Sequence, residues 1–193
     1  VNPASDGLLP GRLLRRPGPP RAAVDFPGAR IASARLADAL APDAPLWVLH
    51  EGAIHAEGPA WQASHRRLLF SDVPNRRVNA WYEEDGRVES VIDPAWFPNG
   101  NAVAADGSVY HCEHGRRCNC RSASDLWGEP EPVVTHYEGR RLNAPNDVVV
   151  HPQDGGIWFT DPGYGALMDY EGNRLPQAAN SPRPLIKEAV YRI

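Results

Sequence analysis

Leu142–Gly165 reads LNAPNDVVVHPQDGGIWFTDPGYG, and the fold of the whole chain turns on how that stretch is read. Two apolar runs, Val148-Val149-Val150 and Ile157-Trp158-Phe159, flank a Pro/Asp/Gly turn, which is the pattern of an antiparallel hairpin. Asn146 and Asp147 stand before the first run, and Thr160 and Asp161 follow the second. Folding the hairpin therefore carries both polar pairs to one end. In an isolated hairpin these would be turn residues capping strands and nothing more.

Self-similarity along the chain changes that reading. Glu57-Gly-Pro-Ala-Trp61 followed by Leu68–Asp72 is one upstream copy, and Asn99-Gly-Asn-Ala-Val103 followed by Val109–Glu113 is another. The leading polar residues Glu57, Asn99 and Asn146 are 42 and 47 residues apart, and the trailing acids Asp72, Glu113 and Asp161 are 41 and 48 apart. Each copy has an apolar run upstream (Leu46–His50, Val88–Ile92, Pro132–Thr135) and a further strand downstream (Val78–Tyr82, Cys118–Arg121, Ala189–Ile193). Four strands in each repeat of about 40 to 45 residues are the mark of a β-propeller blade.

The expected fold class is therefore all-β: a propeller with about three blades over residues 46–193, behind a Pro/Arg-rich extension over residues 1–45. The first strand of a blade lines the central channel, so Glu57, Asn99 and Asn146 are expected to converge on one mouth of it. Carboxylate and amide oxygens gathered there suit a hard divalent cation. The competing expectation is that they cap strands around an ordered water. A ring needs about four to eight blades, and open sides leave strand edges exposed. These blades are thus expected to form part of a longer or two-piece ring, with a second chain, or a second copy head to tail, completing it.

Composition narrows the class further. With 42% hydrophobic and 23% charged residues over 193 positions, the chain can bury a real core, and a net charge of −4 gives no reason to expect nucleic acid. No apolar run approaches the ~18 residues of a membrane span. No secretory leader is visible either, so the expected location is cytoplasmic, or periplasmic where a leader has been removed. Ala32–Leu40 is the one helical-looking run of the extension.

Cys112, Cys118 and Cys120 match no usual zinc spacing and are expected to pack within a strand, the last two on one face. The six tryptophans, Trp47, Trp61, Trp81, Trp96, Trp127 and Trp158, are expected as core between blades. His50, His55, His65, His111, His136 and His151 have no convergent partner in the repeat pattern and read as surface or packing residues. A serine-hydrolase elbow and a phosphate-cradling loop are both missing from the sequence.

On these motifs the chain resembles the gluconolactonase and regucalcin family of six-bladed propeller lactonases. The resemblance spans about Leu46 to Ile193. It rests on AEGPAW with LLFSDVPNRRV (Ala56–Val78), NGNAV with VYHCEHGRR (Asn99–Arg117) and LNAPNDVVV with GIWFTDPGYG (Leu142–Gly165). It implies a divalent cation at the channel mouth, calcium first and zinc or magnesium as alternatives, with Glu57 giving a carboxylate ligand and Asn146 an amide oxygen. The family's other two ligands, an Asn and an Asp, would fall after Ile193.

The implied reaction is metal-dependent hydrolysis of a small-molecule sugar-acid lactone such as gluconolactone. His114 stands where the related paraoxonases place a channel-mouth histidine, which implies a proton-transfer or substrate role beside Glu57 and Asn146. Substrate contacts are expected from Asn99, from Asn143 in place of an arginine that Ala144 replaces, and from Tyr164 on a loop over the mouth. Glu113 is expected to orient strands or to bond a sugar hydroxyl. Asp147 and Asp161 are ambiguous between supporting the ligands and capping strands. A non-catalytic calcium-binding propeller and an inactive truncated fragment remain as alternatives.

Overall fold

The structure, a computed structural model, describes residues 47–167 and 186–193. The N-terminal extension, with its helical-looking run, lies outside the described residues. What is described is built from antiparallel sheets in the order the repeat predicts. In the first blade, β1 (Ala56–Gln62), β2 (Arg67–Asp72), β3 (Arg77–Tyr82) and β4 (Val88–Ile92) pair in sequence order. The second repeats this with β5 (Pro98–Val103), β6 (Val109–Glu113), β7 (Cys118–Ser122) and β8 (Glu131–Val134). A two-stranded ribbon, β9 (His136–Tyr137) and β10 (Arg140–Arg141), leads to the third sheet of β11 (Val148–Val150), β12 (Ile157–Asp161) and β13 (Ala189–Arg192). Of the expected strand at Leu46–His50, Leu46 lies outside the described residues, and Trp47 to His50 hold a single bridge, at Trp47.

Alternation along the strands explains where the core lies. Successive side chains of a strand point to opposite faces, and β6 sends Val109 to one neighbour and Cys112 to the other. Val109 joins Leu69, Val78, Ala80, Ile92 and Leu126 in a buried cluster between the first and second blades. Cys112 joins Leu142, Val148, Ile157, Phe159 and Ile186 between the second and third. A polar clamp holds the end of β1 to the second blade. The buried Gln62 donates from Nε2 to the carbonyls of Gly107 (2.9 Å) and Ser124 (2.7 Å), and Arg67 Nε donates to its Oε1 (2.6 Å).

The tryptophans correct one expectation. Trp47, Trp61, Trp96, Trp127 and Trp158 are all exposed, Trp127 to 88%, and Trp81 is half-buried. The spaces between blades are filled instead by Leu, Val, Ile, Ala, Cys and Phe159. Trp158 lies opposite Val149 on the face of the third sheet that meets no other sheet among the described residues, and Val149 and Val190 are exposed there as well. Arg192 lies over its ring at 5.6 Å.

The tightest approach in the fold is between the inner strands. A Cβ added at Gly58 would stand 2.6 Å from the Asn99 carbonyl oxygen, and one added at Gly100 would stand 2.7 Å from Cα of Asp147 and 2.8 Å from the Asn146 carbonyl oxygen. Gly100 has an ordinary backbone conformation, so crowding alone selects glycine there. Gly100→Ala should therefore cost about 2–3 kcal/mol in chemical denaturation. Gly128→Ala, in open space but at positive φ, should cost only about 1 kcal/mol. Equal losses would remove crowding as the reason for glycine at position 100.

Candidate active site

The leading residues of the three repeats sit where these inner strands meet. Glu57 enters β1, Asn99 lies in β5, and Asn146 precedes β11. The Gly100 N–H donates to the Asn146 carbonyl at 2.7 Å. Asn101 Nδ2 donates to the Gly58 carbonyl at 2.9 Å, and Ser71 Oγ donates to the Asn99 carbonyl at 2.6 Å. Backbone hydrogen bonds and side chains thus stitch together residues far apart in sequence. Both ladders shift register here, between Glu57 and Ala60 and between Pro98 and Asn101. Such bulges re-aim side chains beside functional sites.

The trailing acids hold this rim from behind. Asp161 is buried, and its two carboxylate oxygens accept the backbone N–H groups of Asn143 and Ala144, each at 2.8 Å. Asp72 Oδ1 accepts those of Ile54 (3.1 Å) and His55 (3.4 Å). In both blades the bonded residues lie three and two positions before the leading residue, Glu57 or Asn146. Burial pushes the Asp161 carboxyl above the usual carboxylate value, while the N–H groups of Asn143 and Ala144 and the charge of Arg117 pull it back. Asp161 therefore anchors the segment that leads into the rim, and so does Asp72. That offset of three and two was the signal in the sequence that could have revealed the role.

Asn143 is corrected by the same geometry. Its Oδ1 accepts from the Ile186 N–H at 3.0 Å, and its Nδ2 donates to the Ile186 carbonyl at 3.2 Å and to Asp161 at 3.3 Å. The side chain is fully buried and its amide is spent on structure, so it is not open to the substrate contact expected of it. Arg117 adds to this anchorage by donating from Nε to the carbonyls of Leu142 (2.6 Å) and Asn143 (2.9 Å).

His114 and Asn99 come together. Both are fully buried, with Nε2 of His114 3.3 Å from Nδ2 of Asn99. Tyr164 meets the imidazole edge-on with centroids 6.5 Å apart, and a Cβ at Gly165 would fall 2.7 Å from the ring. Tyr164 lies not on a loop but in α1, the short helix Tyr164–Leu167, whose Gly165 is pressed against His114. Asp147 is exposed and accepts the Thr160 N–H through its carbonyl at 3.0 Å.

Glu113 departs from the other trailing acids. It is fully buried and bonds its own blade, accepting a hydrogen bond from Arg116 and standing 3.2 Å from Nε2 of His111. Burial opposes its ionisation, but these two partners outweigh burial and draw it down to about 2. Of its two expected roles, the contacts are those of strand orientation. His111 corrects a further expectation, because it has a convergent partner after all.

The profile of the SMP-30/Gluconolactonase/LRE-like region matches residues 55–189. The chain belongs to this family. A gluconolactonase of Zymomonas mobilis is 30% identical over 146 residues, covering 69% of this chain and 40% of the relative. The crystal structure of a gluconolactonase from Xanthomonas campestris superposes with a TM-score of 0.73 at 42% identity, over 85% of this chain and 52% of that one. The chain thus spans about half the length of these relatives, and its sheets are blades of their propeller. Among the described residues no helix is long and apolar enough to cross a membrane.

The anchoring role of the trailing acids sets an expected ranking. Asp161→Ala leaves two buried N–H groups without partners and should cost about 3 kcal/mol. Asp72→Ala, with longer bonds, should cost about 1 kcal/mol. Chemical denaturation checks the order, and a reversed order would move the main anchor to the first blade.

Proposed function

We propose that these blades carry half of the channel mouth of a metal-dependent lactonase that opens sugar-acid lactones such as gluconolactone. The observation that carries this reading is the rim itself, where Glu57, Asn99 and Asn146 enter inner strands joined through Gly58 and Gly100. Family membership and the gluconolactonase relatives support the substrate class.

The donors at the rim fit a hard cation. Glu57 offers a carboxylate and Asn146 an amide oxygen, both side chains are partly exposed, and neither position offers sulfur. Calcium is the ion proposed, and Glu57 and Asn146 are the residues that would hold it. When bound, such an ion polarises a carbonyl and lowers the pKa of water.

In lactone hydrolysis the oxygen of water joins the carbonyl carbon, the ring C–O bond breaks, and the proton shed by water ends on the departing ring oxygen. The chain's own residues position the parts of that reaction. Asn99 is fixed by Ser71 at its carbonyl and by His114 at its side chain, and being fully buried it holds the inner strand of the rim in place rather than meeting substrate itself. His114 is buried behind Asn99 and acts through it as a positioning residue. Tyr164, half-buried on α1, closes the side of this pair.

Two measurements on the full-length protein test the reading. Hydrolysis of gluconolactone should be abolished by a chelator, restored by calcium, and lowered about 10³-fold or more by Glu57→Ala or Asn146→Ala, as expected for loss of several kcal/mol of transition-state stabilisation. Chelator-resistant turnover would refute it, and calcium binding without turnover would leave a binding propeller. His114→Gln should lower kcat about tenfold with an unchanged pH–rate profile. Loss of one limb of that profile would instead make His114 a proton-transfer group.

A further inference from the structure

The second blade holds a group of side chains that the channel mouth does not use. On the hairpin of β6 and β7, His111 lies opposite Cys120 and Glu113 lies opposite Cys118. Residues two apart on a strand share a face, so these four form one patch, and all four are fully buried. We propose that His111, Glu113, Cys118 and Cys120 form a structural zinc site that clamps β6 to β7 in the second blade.

Distances favour it. Ligand atoms of His111, Glu113 and Cys120 all lie within 4.8 Å of one another. The two sulfurs are 3.1 Å apart, Cys120 Sγ is 3.7 Å from Glu113 Oε2, and His111 Nε2 is 3.2 Å from Glu113 Oε1. Donor atoms on a tetrahedral zinc stand roughly 3.3–3.8 Å apart, given bonds of about 2.0–2.3 Å. His111, Glu113 and Cys120 need only small side-chain shifts to close on an ion, and Cys118, beside Cys120 but outside that group of three, would have to turn toward it to complete the set.

The repeat supplies an internal control. The ladder positions of His111 and Cys120 are held in the first blade by Phe70 and Asn79, and in the third by Phe159 and Tyr191. Those of Glu113 and Cys118 are held by Asp72 with Arg77, and by Asp161 with Ala189. The fold therefore needs neither a histidine nor a thiol at these places. Only in the second blade does the trailing acid abandon the segment before its leading residue and turn to a histidine, an arginine and a cysteine.

Charge and access agree. Two thiolates and one carboxylate balance a divalent ion and the Arg116 guanidinium, so the occupied site would be neutral where burial penalises any excess charge. Arg116, bonded to Glu113, would orient that ligand from outside the donor set. A cleft of about 680 Å³ beside β4 reaches Glu113 and Arg116, with Asp93 and Glu129 also on its lining to favour cations. Sulfur and imidazole donors select zinc over calcium, which separates this site from the oxygen-lined rim.

Cobalt(II) is the probe, added to the metal-stripped, reduced full-length protein in saturating calcium so that the rim is filled. Expected are about one equivalent of tightly bound cobalt, sulfur-to-cobalt charge-transfer absorption, intense tetrahedral d–d bands, and displacement of all three by zinc. The double variant His111→Phe/Cys120→Asn reproduces the pair of the first blade and so should fold, yet it should bind none. Cys118→Ser should remove about half of the charge-transfer band. Cobalt bound without that band, equal binding by the double variant, or a Cys118–Cys120 disulfide persisting under reductant would each overturn the site. Lactone turnover is not read, so failure of this proposal and failure of the lactonase reading remain distinguishable.

Discussion

The inner strands approach so closely that no side chain fits between them, and the rest of the molecule is arranged around that constraint. Gly58 and Gly100 are the points of approach, and Asn146 accepts the N–H of Gly100 directly. Because the residue after each leading position must be thin or turned away, the leading side chain is placed on the rim by its neighbour's confinement. The bulges beside Glu57 and before Asn101 have the same origin, since a ladder that must admit a foreign backbone cannot keep regular pairing. Position on this rim follows from backbone packing before any ligand is considered.

A rim set by backbone contacts still needs fixed supports, and the trailing acids supply them. Asp161 and Asp72 take the N–H groups three and two residues ahead of Asn146 and Glu57. A charge-assisted bond to a buried backbone group is among the stronger hydrogen bonds in a protein. Each leading residue is therefore held on both sides, by the neighbouring blade after it and by its own blade before it. Preorganisation of this kind lets a site hold an ion or a substrate without ordering itself first.

The repeat spacing made most of this legible. The strands at Glu57–Trp61, Leu68–Asp72, Val109–Glu113 and Val148–Val150 lie where period-two patterning and turn residues place them, because both are local properties. The contact of Asn99 with His114 was not legible in the repeat, because the two stand at different positions of the same blade and meet only through its fold. What failed depended on what lies across a sheet face. Trp158 and Trp127 carry the same hydrophobic signal whether or not another sheet covers them. Asn143 looked like a free amide because its partner Ile186 lies 43 residues on, past the repeat pattern. His111 seemed isolated because Glu113, two residues on along the same strand, repeats no such pairing in the other blades, and only pairing register brings Cys120 opposite.

Comparing blades shows where the sequence has been released from the common plan. In the first and third, an acid anchors the rim and an aromatic residue two positions earlier fills the core. In the second, Glu113 is one methylene longer than its counterparts and leaves the segment before Asn99 to the backbone: the His114 N–H bonds the Phe97 carbonyl at 3.1 Å, as the Val73 N–H bonds that of His55 in the first blade, and the Gly115 N–H bonds that of Trp96 at 2.9 Å. Once main-chain bonds hold the rim, the acid is free to face the blade's own interior. There it meets His111 and Cys120 rather than a phenyl ring, at a depth where an unpaired charge is costly. The two proposed donor sets would thus differ in hardness and in exposure, oxygen at the open rim and sulfur with imidazole in the closed sheet. Such a division would keep an ion suited to one from competing effectively for the other.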